Sequence, residues 1–390
     1  MDIGLPWMLW RSFWPRIGDD REMDSQFPPM DVASRADRLR ARLEDAGVDA
    51  LLVTNLSNIR YLTGFTGSAA RLLVDREKLL FVTDGRYAQQ AESQLGAVGV
   101  VASIEVAGGD GQKAALQAGV KAVGGSRIGL EAASVTWAAQ RSYVEWFEGG
   151  DLIATDSLVE ELRKVKDEGE VARIEAACHI ADRALAEVRP ELVLAMTETE
   201  FGLELDTAMR RFGADDVSFE TIVAAGPNGA RPHHRPGSRR IVEGDLVVVD
   251  FGAMVDGYHS DMTRTSMVGE WTPTQQRMYE VVHEAQAAGV AAVAAGVSTV
   301  DVDQACRSVI EAAGWADAFV HSTGHGVGLD IHESPSVAAV SPSLLEAGHV
   351  VTVEPGVYLP DHGGVRIEDT VVVTDEGCRV LTLAPKAPAV

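Results

Sequence analysis

The sequence predicts two domains, an α/β domain over 31–155 followed by an α+β domain over 156–390. Three observations predict this division. A chain of 390 residues is long for one ordinary domain and fits two. In the first part strand-like runs alternate with helical ones, the pattern of an α/β layer. In the second part long helices come early and the final stretch is mostly strand, the pattern of an α+β arrangement. Between them, 156–170 (DSLVEELRKVKDEGE) is charged and helix-prone and reads as a linker.

The first helix is expected at 31–47, with Val32, Leu39 and Leu43 inward, Arg and Glu outward, and Gly47 as its stop. Strands follow at 50–54, 71–74 and 79–83, then a helix at 86–95 and a strand at 100–106. A helix at 112–121, a strand at 127–130 and a helix at 136–147 complete the α/β part. In the second part helices are expected at 167–187 and 197–212, strands at 219–225 and 246–254, and a hairpin return at 257–268. Helices at 273–295 and 300–314 and strands at 350–354, 365–373 and 379–383 finish it, the helices covering one face of an antiparallel sheet. Residues 1–30 read as an N-terminal extension, expected to be disordered, with Trp7, Trp10 and Trp14 at roughly helical spacing. Its apolar stretch is too short for a signal peptide and no small-residue cleavage site follows.

Composition narrows the function. Hydrophobic residues make up 46% and charged residues 24%, enough for a packed core in each part. Acidic residues number 58 against 34 basic, a formal charge of −24, which argues against nucleic acid or an anionic membrane surface as partner. Cys178, Cys306 and Cys378 are odd in number and have no CxxC spacing, so they point to a reducing compartment and away from disulfides or zinc thiolates. No run reaches the ~20 apolar residues of a membrane span. A cytoplasmic protein is expected.

The chemistry gathers in LVVVDFGAMVDGYHSDMTRT, residues 246–265. A two-residue loop at Val255 and Asp256 would set Asp250 directly opposite Asp261. Opposed like charges destabilise a ladder, and burial makes them costlier. A cation between the two removes the conflict. The plainer alternative, both carboxylates in solvent, sits badly with Asp250 inside the apolar run VVVDF.

More acceptors come later. HSTGHGVGLDIHE offers His321, His325 and His332 in a glycine-rich stretch. VTVEPGVY puts Glu354 at the end of an apolar strand, and GGVRIEDTVVV places Arg366 and Glu368 two apart on one strand face. A buried Arg366–Glu368 ion pair is an alternative, but it leaves Glu354, Asp250 and Asp261 unexplained. Four carboxylates and one imidazole make a cage for two divalent ions, four negative charges balancing two M²⁺. The oxygen-rich set suits Mn²⁺ or Fe²⁺, with Co²⁺ or Zn²⁺ as alternatives. Two metals that share a water lower its pKa and stabilise a developing oxyanion.

Asp250, Asp261, His325, Glu354 and Glu368, in this order and with these neighbours, resemble the pita-bread metallopeptidases, the family of methionine aminopeptidase, aminopeptidase P, prolidase and creatinase. The resemblance runs from about residue 160 to 390 and rests on DFG-x8-D, GHGVGLDIHE, TVEPGVY and VRIEDT. It implies a pita-bread C-terminal domain behind a creatinase-like N-terminal one. It implies that Asp250 binds one metal through both oxygens, that Asp261 and Glu368 bridge two metals, and that His325 and Glu354 complete the second site. Glu354 would also shuttle a proton as general base and then acid. GPNGARPHH aligns His233 with a catalytic histidine of the family, with His234 as the competing assignment. His233 and His332 would hold the substrate carbonyl, and His321 and Arg366 would contact substrate.

The N-terminal part selects a branch by the same resemblance. Methionine aminopeptidases generally lack a full α/β domain there, creatinases do not keep the full metal set, and NIRYLTGFTGS and TDGRYAQQA look like bacterial Xaa-Pro peptidases. The resemblance therefore implies a homodimer that cleaves the bond before proline in small peptides. Asp84, Arg86 and Tyr87 are either substrate or dimer contacts or an ordinary strand-end turn and helix cap. Prolidase and aminopeptidase P stay open, because Arg231, Arg235 or Arg366 could each meet a substrate carboxylate. A non-catalytic binding module and a hydrolase of non-peptide amides are the readings from other classes.

Overall fold

The computed structural model describes residues 27–124, 127–194, 196–340 and 342–389. Most of the expected extension, with its three tryptophans, lies outside the described residues. Its last residues do not behave as an extension: Phe27 packs on the core of the second domain and Met30 on that of the first. Packing thus starts before the expected boundary at residue 31.

The first domain is a six-stranded mixed sheet in the order Ser103–Val106, Leu79–Thr83, Ala70–Asp75, Ala50–Val53, Arg127–Glu131, Asp151–Thr155. Alternation along the central strand sets its layers. Leu51 and Val53 face a cluster with Leu39, Ile59 and Leu95, from the helices Arg35–Leu43, Leu56–Thr63 and Ala88–Ala97. Ala50 and Leu52 face Leu116 and Tyr143, from Gly109–Val123 and Trp137–Trp146. The helix Leu56–Thr63 was not expected. Asn55 caps it by accepting from the Ser57 and Asn58 amides, and Gly64, at φ 71°, ends it. The strand Asp151–Thr155 was also not expected.

The charged segment 156–170 is no solvated linker. It holds a short helix, Glu160–Arg163, and both Arg163 and Lys166 are buried. The first domain's cluster continues across the junction through Leu162, Ile174, Tyr258, Val327, Val350 and Leu381, so the domains share an apolar core.

In the second domain, capping boxes open Glu168–Val188 (Asp167 with Glu170) and Glu198–Arg211 (Thr197 with Glu200), and both helices pack on the strands around Val247, Val249 and Phe251. Pro273–Ala292, capped by Thr272 and Gln275, and Thr299–Ala312 pack on Val351, Val353 and Val371. The strand pairs are antiparallel, as expected, but they form four sheets instead of one. Gly252, the Ser260–Asp261 stretch, Glu354–Pro355 and Ile367–Glu368 break the ladders, and Asp261, Glu354 and Glu368 stand in these breaks, with Asp250 two residues before the first.

The hairpin register differs from the expectation. The turn is Asp256–Gly257, with φ of 46° and 70°, two successive left-handed residues as a type I′ turn requires. Met254 therefore pairs with His259, and Asp250 with Thr263 instead of Asp261. The correction is by two positions, which preserves facing. Asp261 is the diagonal neighbour of Asp250 on the same side of the hairpin.

Candidate metal centre and active site

Five chain segments converge on one cavity of about 600 Å³. Asp250 comes from the strand Leu246–Phe251, Asp261 from the break before Met262–Met267, and His325 from the middle of Gly324–Gly326. Glu354 follows the strand Val350–Val353, and Glu368 lies between Gly363–Arg366 and Asp369–Thr374. His233, His321, His332 and Arg366 line the same cavity, so all the residues predicted for the site meet there. Phe219, Ile222 and Ile331 give it an apolar wall.

The local chemistry suits a cation. Asp261, His325 and Glu368 each offer a ligand atom, all within 4.8 Å of one another. His325 Nε2 lies 3.4 Å from both Asp261 Oδ2 and Glu354 Oε1. Its Nδ1 is 2.9 Å from the Gly326 carbonyl, which can only accept, so Nδ1 donates there and Nε2 is the ring nitrogen turned to the carboxylates. Burial, then Asp250, push the Asp261 carboxyl well above the usual range, and burial with Asp261 does the same to Glu368. Burial also raises Glu354, against the pull of His325 and Arg366. Asp250 Oδ1 and Glu368 Oε1 are buried with no partner. Orphaned buried oxygens are rare and call for an ion or a water. Divalent cations would satisfy both oxygens and the imidazole lone pair, so the residues fit such ions.

The alternative ion pair between Arg366 and Glu368 does not form. Arg366 Nη2 donates to Asp250 Oδ2 at 2.6 Å, Nε to Thr263 Oγ1 at 3.0 Å and Nη1 to the Tyr358 hydroxyl at 2.8 Å. Thr263, which pairs with Asp250 across the hairpin, donates in turn to Glu368 Oε2 at 2.7 Å. His321 Nδ1 donates to the Ser322 carbonyl at 2.8 Å, so Nε2 accepts from the Tyr358 hydroxyl at 2.8 Å. Burial and Arg366 keep His321 neutral, with its pKa lowered to about 4. Both of its ring nitrogens are committed, and it presents carbon edges to the cavity.

The His332 ring lies 4.3 Å from that of His325, centroid to centroid, and burial followed by His325 lowers its pKa. His233 and His234 part company. His233 lines the cavity, whereas His234 Nε2 is 2.9 Å from Glu198 Oε2. Glu198 is buried and also accepts from the Ala225 and Gly237 amides and the Asn228 side chain. Asp84 and Arg86 form a salt bridge at 2.8 Å across a turn, Tyr87 precedes the helix Ala88–Ala97, and none of the three lines this cavity. Arg231 and Arg235 do not line it either, and Arg235 pairs with Glu220. Sequence reasoning missed Thr263, Tyr358 and Glu333. The tyrosine follows the VTVEPG stretch in a strand, and only its partners reveal a polar task.

Comparison with known proteins agrees with this geometry. Residues 172–375 match the model of metallopeptidase family M24, and residues 35–165 match the creatinase/prolidase N-terminal domain. The chain is 40% identical to the uncharacterized peptidase YqhT of Bacillus subtilis, over 90% of this chain and 98% of that one. Among solved structures it resembles the Xaa-Pro dipeptidase of Bacillus anthracis, with a TM-score of 0.89 and 38% identity over 92% of this chain and 99% of the other. It also resembles the X-Pro aminopeptidase of Thermotoga maritima, with a TM-score of 0.82 and 34% identity over 91% of this chain and all (100%) of the other.

Proposed function

This chain belongs to metallopeptidase family M24, and we propose that it hydrolyses the peptide bond before proline in small peptides. We assign two divalent ions, Mn²⁺ foremost, to Asp250, Asp261, His325, Glu354 and Glu368. The observation that carries the reading is the convergence of these five groups on one cavity, with two carboxylate oxygens buried and unpartnered. Four carboxylates neutralise two M²⁺, and a structure that gathers four negative charges without cations would work against itself.

Bound ions supply an acidified water and a counter-charge for the oxyanion. The remaining work falls to side chains. Glu354 takes the proton of the attacking water and passes it to the leaving nitrogen. The leaving nitrogen must gain that proton to depart as an amine, here the secondary amine of proline. His233 and His332 donate to the carbonyl oxygen as charge builds on it. Arg366 acts behind the ligands, where it orients Asp250 and fixes the Tyr358 hydroxyl that holds His321. His321 then meets substrate through its ring. The apolar wall of Phe219, Ile222 and Ile331 suits a proline ring. The proline preference is further supported by the relatives, which carry the names Xaa-Pro dipeptidase and X-Pro aminopeptidase.

The test is a matched pair of substrates, an Xaa-Pro dipeptide and an Xaa-Pro-Yaa tripeptide, given to chelator-stripped protein and again after adding Mn²⁺. Cleavage of the dipeptide alone identifies a dipeptidase, and cleavage of the tripeptide an aminopeptidase. If neither is cut while two metals are bound, the proline assignment is wrong. If no metal is taken up, the catalytic reading fails as a whole.

A further inference from the structure

His332 stands between Gly328 and Glu333, in a segment fastened from outside its own fold. Ser57 Oγ donates to Asp330 Oδ1 at 2.6 Å, and Arg163 Nη2 to Asp330 Oδ2 at 2.6 Å. The same Arg163 nitrogen pairs with Glu333 Oε1, and Lys166 Nζ lies 3.0 Å from Glu333 Oε2. Glu333 Oε1 also accepts the Asp330 backbone N–H at 3.0 Å, which closes the segment on itself around His332. Arg163 Nη1 donates to Asn58 Oδ1 at 2.7 Å. Ser57 and Asn58 belong to the N-terminal helix Leu56–Thr63, and Arg163 and Lys166 to the junction. The side chains of Arg163, Lys166 and Glu333 are 3%, 1% and 7% exposed. Buried ion networks of this kind are poor stabilisers, since apolar residues of the same volume usually do as well. The position of this one, bracketing His332 at the edge of the cavity, gives it another use.

We propose that Arg163 and Lys166 are positioning residues which, through Asp330 and Glu333, hold His332 in place over the site. The N-terminal helix takes part through Ser57 and Asn58, so both domains set the geometry of one imidazole. Arg163 suits the task because its planar fork reaches Asn58, Asp330 and Glu333 together, which a lysine ammonium cannot match. The inference rests on the role given to His332 above.

The experiment compares kcat, KM and bound metal in Arg163→Lys, Glu333→Gln, His332→Ala and the double variant of the last two. Removal of a partner that orients an active-site group costs about 10- to 100-fold in activity. That loss is expected in kcat for Arg163→Lys and Glu333→Gln, with KM and metal content unchanged. In the double variant Glu333→Gln is expected to add nothing to His332→Ala. Fully multiplicative losses would overturn the proposal, because the network would then act on the fold and not on His332. If Glu333→Gln does not fold, Ser57→Ala removes one hydrogen bond to Asp330 and enters the same cycle, with a loss of about fivefold. A second readout needs no substrate. In Zn²⁺-loaded, histidine-labelled protein, the His332 imidazole resonance, identified by its absence in His332→Ala, should move in Arg163→Lys. An unmoved resonance would also overturn the proposal. A wild type that cleaves no Xaa-Pro peptide would sink the proline reading and leave this measurement standing.

Discussion

Arg366 Nη2 lies 2.6 Å from Asp250 Oδ2, while Oδ1 of the same carboxylate is buried with no partner. One oxygen is anchored and the other is open to the proposed cation. Replacing Arg366 by methionine should therefore hurt the metal-free protein most, because Asp250 then loses its counter-charge. Leaving a buried charge uncompensated costs about 3–5 kcal/mol. Thermal melts of Arg366→Met with and without Mn²⁺ should show the larger loss in chelated protein. An equal loss in both forms would count against the ligand role of Asp250.

Asp261 and Glu368 supply two of three possible ligand atoms that all lie within 4.8 Å of one another. Asp261→Ala or Glu368→Ala should release metal and lower turnover on the order of 10³-fold or more, equivalent to about 4 kcal/mol of transition-state stabilisation. Metal counted by elemental analysis beside kcat decides the matter. Near-wild-type turnover in either variant would refute their central place.

The two adjacent histidines should fail in different ways. His233→Ala is expected to lower kcat with metal content and melting temperature intact. His234→Ala removes a partner of the buried Glu198 and should cost about 1–3 kcal/mol of stability. Urea unfolding of both variants, read beside their kinetics, separates the two roles. If His234→Ala gives the purely kinetic defect instead, the assignment is off by one residue.

Metal should change how stability depends on pH. In metal-free protein Asp261, Glu354 and Glu368 hold protons more tightly than the unfolded chain does. Above the ordinary carboxylate range of about 4 the folded state thus binds more protons, and stability falls as pH rises through the raised values. Bound cations need the carboxylates ionised and remove that dependence. The gap in melting temperature between Mn²⁺-loaded and chelated protein should widen from pH 5 to pH 8. A constant gap would mean that the raised carboxylates are not the ligands.

Much of the candidate site was legible because three of its carboxylates carry a local sign. Asp250, Glu354 and Glu368 are carboxylates inside apolar strand sequence, and that conflict is visible without coordinates. The hairpin register was misjudged even though Asp256-Gly257 is a strong turn dipeptide. A two-residue shift keeps facing, so both aspartates still lie on one side of the hairpin. The helix Leu56–Thr63 is too short for its periodicity to stand out. Arg163 and Lys166 fall in the stretch read as a linker, since their partner Glu333 is 170 and 167 residues away in sequence. Long-range ion pairs leave no local trace, and neither does a tyrosine hydroxyl whose partners come from other strands.

Leu381 sits in the same apolar cluster as Leu39. A growing chain cannot seal the first domain's core until residues that late have been made. During synthesis the leading half must wait with an apolar flank open to water, a state prone to association with other chains. Contacts of such long sequence separation also slow folding. The demand for holding chaperones should therefore last until Leu381 has been made, after every candidate site residue is already in the chain.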